Sequence, residues 1–125
     1  MGGTLSKGSW ISPHMTRPDI LPSETTRVPV PLGDRLGRMY VTVTRLPTGP
    51  YEVFCQVGKG GEIENELAQA VGRLISLALR WEVPVEQVVK QLTGIGSGAV
   101  MWRGKIVRSI PDGVAQVLGD LGKES

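Results

Sequence analysis

Residues 62–81 hold the pattern that most limits the fold. Ile63, Leu67, Ala70, Val71, Leu74, Leu77, Ala78 and Trp81 recur at three- and four-residue steps, the spacing of one face of an α-helix. Ile75 and Leu79 widen that face, so the helix is expected to be buried on more than one side. Gly72 falls in mid-helix, where glycine costs about 1 kcal/mol relative to alanine. A close backbone approach at Gly72, against a sheet or another helix, would offset that cost.

The residues before this helix read as strands. Prolines at 18, 22, 29 and 31 keep residues 17–32 extended, because proline fixes φ and restricts the residue before it. Residues 27–31 fit an edge strand, where a missing N–H is tolerated. Gly33, Asp34 and Gly37 then mark a turn. Met39, Val41 and Val43 alternate with Tyr40, Thr42 and Thr44. After the turn cluster 47–50, Tyr51, Val53, Cys55 and Val57 resume the alternation. Two such runs joined by a short Pro/Gly loop predict an antiparallel hairpin over 38–57. Cys55 then lies on the apolar face as a small buried hydrophobe rather than a reactive thiol.

The residues after it read as two more helices and a strand pair. Pro84 opens a helix over 84–93, striped by Val85, Val88, Val89 and Leu92 and ended by Gly94. A glycine-rich loop, 94–98, leads to a strand pair around Gly104 within 99–108. Ser109-Ile110-Pro111-Asp112 has the form of a capping box, with Asp in place of the usual Glu or Gln. It precedes Val114, Val117, Leu118 and Leu121 in a last helix over 111–121. The predicted fold class is α+β: a small antiparallel sheet packed on a long central helix 62–81. Residues 1–16 read as a tail, with Trp10, Ile11 and Met15 its apolar exceptions, and 17–125 as one domain. No internal repeat and no coiled coil stands out.

Composition narrows the chemistry. The 125 residues include one cysteine and one histidine. An intramolecular disulfide is excluded, and so is a cysteine-based zinc site, which needs several ligands at short spacings. The net charge of +2 comes from a mildly basic front half without the clustered Lys/Arg of a nucleic-acid footprint. No apolar span is long enough for a membrane helix, and a cytosolic location is the expectation. His14 lies in the tail with no evident Ser or Cys partner. Glu62, Glu64 and Glu66 stand in the first turns of the long helix, where carboxylates complement the helix dipole by about 0.3–1 kcal/mol each. No catalytic constellation emerges, and no cofactor is expected.

Gly58-Lys59-Gly60-Gly61 is a glycine-rich turn feeding a helix N-terminus, an arrangement that can cradle phosphate. The full phosphate-loop signature is absent, since Lys59 is followed by Gly60 rather than Ser or Thr. The three downstream glutamates would oppose an anion. A structural strand-to-helix turn is the favoured reading. The loop 94–98, with Ser97, is a second candidate anion nest.

Several stretches together resemble the TSCPD domain, a module appended to some vitamin B12-dependent ribonucleotide reductases. They are Arg17-Pro18-Asp19-Ile20-Leu21, Tyr40-Val41-Thr42-Val43, Gly58-Lys59 with residues 70–80, residues 88–95, and Ser109-Ile110-Pro111-Asp112 in place of the family's Ser-Cys-Pro-Asp. The resemblance spans about residues 15–121. Its cysteine positions carry Ile63, Ser97 and Ile110 here. The resemblance therefore implies a metal-free copy, in which Ile63 and Ile110 are expected to be buried and to face the neighbourhood of Ser97. Ribonucleotide reduction itself needs a radical-bearing cysteine and a redox pair, which one cysteine cannot supply.

Two functions compete. The first is a non-catalytic reductase-associated accessory domain that binds a reductase subunit or a second copy of itself. The second is a small nucleotide-binding or nucleotide-sequestering protein, with Lys59, Gly60, Gly61, Arg73, Ser97 and Arg103 lining its pocket. That reading rests on analogy with the resembled enzymes. A purely structural small domain is a third alternative.

Overall fold

A computed structural model describes residues 17–124, with side chains described through Leu121. Three long strands, β1 (Ser23–Leu32), β2 (Arg35–Leu46) and β3 (Gly49–Gly58), form an antiparallel meander in the order β1-β2-β3. Helix α1 (Glu62–Arg80) follows, then α2 (Val85–Leu92). A small hairpin, β4 (Val100–Trp102) and β5 (Lys105–Val107), leads into α3 (Ile110–Glu124). The α+β class stands. The expected edge strand is longer than its prolines suggested, since all ten residues of β1 pair with β2.

Strand alternation builds the core. Val28, Val30, Met39, Val41, Val43, Val53 and Val57 are buried on one face of the sheet. The register Val28↔Met39↔Val57 and Val41↔Cys55 stacks these positions across the strands. Val114, Val117, Leu118 and Leu121 of α3 complete the core, with Ala68, Ile75 and Leu79 of α1. Pro29 and Pro31 sit on β1, which pairs only with β2 in this sheet, so their missing N–H groups fall on its outer side. The β4–β5 turn has Arg103 at φ 50° and Gly104 at φ 77°, as a two-residue hairpin of the primed type requires.

Burial of the helices corrects one expectation. α3 is the enclosed helix, buried almost continuously from Ile110 to Leu118. α1 is buried on one side only, through Ala68, Gly72, Ile75, Ser76 and Leu79. Its widened apolar face has split in two, one half on the core and the other on the surface.

Candidate functional site

The seating of α1 follows from polar side chains as much as from apolar ones. Asn65 accepts the Val57 N–H at 3.0 Å and donates to the Val57 carbonyl at 3.1 Å. Ser76 repeats the device four strand residues away. It accepts the Val53 N–H at 2.9 Å and donates to the Val53 carbonyl at 3.1 Å. These groups lie on the side of β3 away from β2, so two side chains of a helix satisfy main chain that a fourth strand would otherwise pair. Gly72 lies between them. A Cβ added there would stand 3.0 Å from the Val53 carbonyl oxygen and 3.4 Å from the Cys55 nitrogen. This is the close approach its mid-helix position called for.

The opposite side of α1 is apolar and open. Ile63 is 76% exposed, Leu74 67%, Leu77 53%, and Leu67 and Trp81 44% each, with exposed Ala70 between them. Their spacing, 63, 67, 70, 74, 77 and 81, alternates steps of four and three, the 3.5-residue period of a helix-packing seam. Scattered surface leucines are ordinary, but these residues form one continuous line along the helix. The stripe is legible in the sequence, where its residues read as core.

Beside the stripe, the flank of α1 and the exposed Phe54 and Gln56 of β3 border a groove of about 1020 Å³ that Arg73 also lines. Arg80, which also lines it, is bonded to Glu52, which is 2% exposed. Glu52 accepts from Arg17 Nε at 3.0 Å, Arg80 Nη2 at 2.6 Å and Thr44 Oγ1 at 3.1 Å. Burial pushes its pKa up most strongly, yet the bonds from Arg17, Arg80 and Thr44 together outweigh burial and hold the carboxyl below its ordinary value. A depressed carboxylate stabilises the fold above its unfolded pKa, and that contribution disappears as pH falls through the folded value. Both arginines stay about two-fifths exposed, so solvent weakens the pairs. Glu52→Gln is expected to cost about 2 kcal/mol at neutral pH. In urea melts the gap between variant and wild type should narrow below about pH 4. A gap that does not change with pH would contradict the ionic account.

The six residues assigned to a nucleotide pocket do not share one groove. Arg73 lines the α1 groove, and Lys59, Gly60, Gly61, Ser97 and Arg103 lie outside it. Lys59 occupies the turn at φ 59°, and its carbonyl accepts from Arg35 Nη1 at 3.5 Å. The Gly61 N–H, which an anion cradle would need, is taken by the carboxylate of Glu64 from the same helix. The helix N-terminus thus carries its own anion. Arg103 lies over its neighbour Trp102, 4.5 Å from the ring centroid.

The three replaced cysteine positions divide differently from expectation. Ile110 is buried at 4% exposure, and Ser97 is exposed. Their segments do meet: Gly98 N–H donates to the Arg108 carbonyl at 3.0 Å, and Ser109 Oγ donates to the Ile95 carbonyl at 2.6 Å. The expectation that Ile63 is buried near them fails, because Ile63 stands on the open stripe in the first turn of α1. Of the two isoleucines, Ile110 alone is packed in the core.

Asp112 holds this junction. Its carboxylate accepts from Gly94 N–H at 2.7 Å, Arg108 N–H at 2.9 Å and Gln116 Nε2 at 3.3 Å. Its own N–H donates to Ser109 Oγ at 3.2 Å, the half of a capping box that the Ser-x-x-Asp spacing predicted. The reciprocal bond goes to Arg108, one residue before the cap. The glycine loop, the end of β5 and the start of α3 are thereby tied to one buried carboxylate.

The TSCPD domain family model matches residues 13–121. The chain belongs to the TSCPD domain family. The Ser-Ile-Pro-Asp segment of this TSCPD domain, residues 109–112, is the buried junction just described. No curated protein and no solved structure matches the chain. Cys55 of this TSCPD domain is half-buried, and burial pushes its thiol up to about 12. Among the described residues, no three His, Cys, Asp or Glu side chains gather as a metal site. No described helix is long and apolar enough to cross a membrane.

Proposed function

We propose that this TSCPD domain is a non-catalytic, metal-free accessory module that works in the cytosol by docking on protein. Ribonucleotide reductase is the partner class its family resemblance points to. The observation that carries the reading is the open stripe of α1. Ile63, Leu67, Leu74, Leu77 and Trp81 place large apolar side chains in water along one line, and covering such a line with protein is the favourable outcome. A thiol raised to about 12 is almost wholly protonated at neutral pH, which argues against nucleophilic chemistry at Cys55.

The test is retention on an immobilised reductase catalytic chain from the same genome. The wild-type chain should be retained, and Leu74→Glu should lose at least tenfold in affinity, about 1.4 kcal/mol. Leu74 is 67% exposed, so the variant should keep the wild-type circular dichroism spectrum. Equal retention of the two proteins would remove the stripe as a docking surface. Failure of both to bind would remove the reductase assignment.

A further inference from the structure

We infer that the α1 stripe is a homodimer seam, in which α1 packs antiparallel against α1 of a second copy around a twofold axis beside Arg73. This rests on the docking reading above and names the partner that covers the stripe.

Self-complementarity is the first argument. When the stripe is turned end for end about its middle, Ile63 meets Trp81 of the second copy. Leu67 then meets Leu77, and small Ala70 meets Leu74. Each layer matches a smaller residue with an equal or larger one, and the twofold axis repeats all three. A symmetric dimer needs one patch that is complementary to itself. A run of residues at alternating steps of four and three supplies the a and d positions of a two-helix seam.

Charge is the second. On one flank of the stripe stand Glu66, Arg73 and Arg80. The antiparallel pairing brings Glu66 beside Arg80 of the second copy, and this contact occurs twice. Arg80 stays 41% exposed after its bond to Glu52, so its guanidinium can reach a second carboxylate. Arg73 meets Arg73 on the axis, a single like-charge contact. On the other flank, partly buried Val71 and Ala78 prolong the apolar surface. A parallel pairing would instead set this flank against the other flank of the second copy, with Glu66 beside Val71 and Arg73 beside Ala78, so that no opposite charges face each other.

Size is the third. The stripe runs about 27 Å at 1.5 Å per residue. Five large, substantially exposed side chains per copy bring the total buried surface to on the order of 1,000 Å², the lower bound for a specific interface. Gly72, Ser76 and Asn65 fix the buried side of the helix to β3. The stripe is therefore held rigid before any partner arrives, which lowers the ordering cost of association.

The experiment uses the full chain with no reductase present. Sedimentation equilibrium at high micromolar concentration should give twice the 13.5 kDa chain mass, and Leu74→Glu should give the monomer. Arg73→Gln, which removes the repulsion on the axis, should tighten the dimer by about twofold. In a Cys55→Ala background, Arg73→Cys should form a covalent dimer under mild oxidation and Glu66→Cys should not, because only residues at the axis of an antiparallel pair meet their own copies. A monomer at every concentration overturns the proposal, as does cross-linking at 66 as efficient as at 73. If the chain is monomeric but its retention on reductase depends on Leu74, self-pairing fails and the docking reading survives. If the chain is monomeric and Leu74→Glu is retained like wild type, both fall. If the dimer forms and reductase is not bound, the seam stands and the reductase assignment alone is lost.

Discussion

Asp112→Ala should cost about 3–5 kcal/mol and leave the domain largely unfolded at moderate urea. Asp112 is 3% exposed, and its carboxylate accepts two main-chain N–H groups from distant parts of the chain, at 2.7 and 2.9 Å. Bonds to a charged acceptor contribute about 1.5–3 kcal/mol each, and the stranded donors add their own desolvation cost. Gln116 Nε2 would keep its other acceptor, the Ile106 carbonyl at 2.7 Å, so the damage centres on Gly94 and Arg108. Asn should rescue little. One of its side-chain positions becomes an NH₂ group facing an N–H, so one main-chain donor stays unpaired. Urea denaturation followed by far-UV circular dichroism is the measurement. A loss below about 1 kcal/mol for alanine would show that the junction does not depend on the carboxylate.

Gly72→Val should be comparably severe, at about 3–5 kcal/mol. On propensity alone the change is mildly stabilising, since glycine is the poorest helix former after proline. Space opposes it. The first added carbon already lies 3.0 Å from the Val53 carbonyl oxygen, and that oxygen belongs to a strand held by β2. The helix must therefore move, and an outward shift of α1 breaks the paired bonds of Asn65 and Ser76 as well as compressing the core edge. Gly72→Ala is the graded control, at about 1–2 kcal/mol. Thermal and urea denaturation of the series Gly, Ala, Val should fall in that order. An alanine variant more stable than wild type would mean that the helix can yield at this point without loss.

Much of the architecture was legible because the periods were clean. Alternation from Met39 to Val43 and from Tyr51 to Val57 gave the hairpin, and the three- and four-residue steps from Ile63 to Trp81 gave α1 to within one residue. The unmatched glycine in mid-helix correctly implied a close backbone neighbour. What the pattern could not reveal was which apolar residues faced the core. Helix α1 carries apolar residues on two sides, and hydrophobicity alone cannot separate an inward face from an outward seam. The discriminating signal was the polar pair: Asn65 and Ser76 bracket Gly72 on the side that satisfies strand main chain, so the opposite side had to be the open one. Ile63 belongs to the outward seam by its helical phase, which its family position does not reveal. Asp112 was recognised as a cap, but its main task spans 18 residues of sequence, and no local motif encodes that.

The side-chain cover over β3 bears on how this domain behaves when crowded. A three-stranded sheet has two borders at which further strands could add without limit, the first step toward fibres. Here one border is occupied by Asn65 and Ser76 and closed at Gly72, and the other is interrupted by two prolines. Growth by strand addition is blocked on both sides of this sheet, so the pairing proposed through α1 would end in closed particles of fixed size.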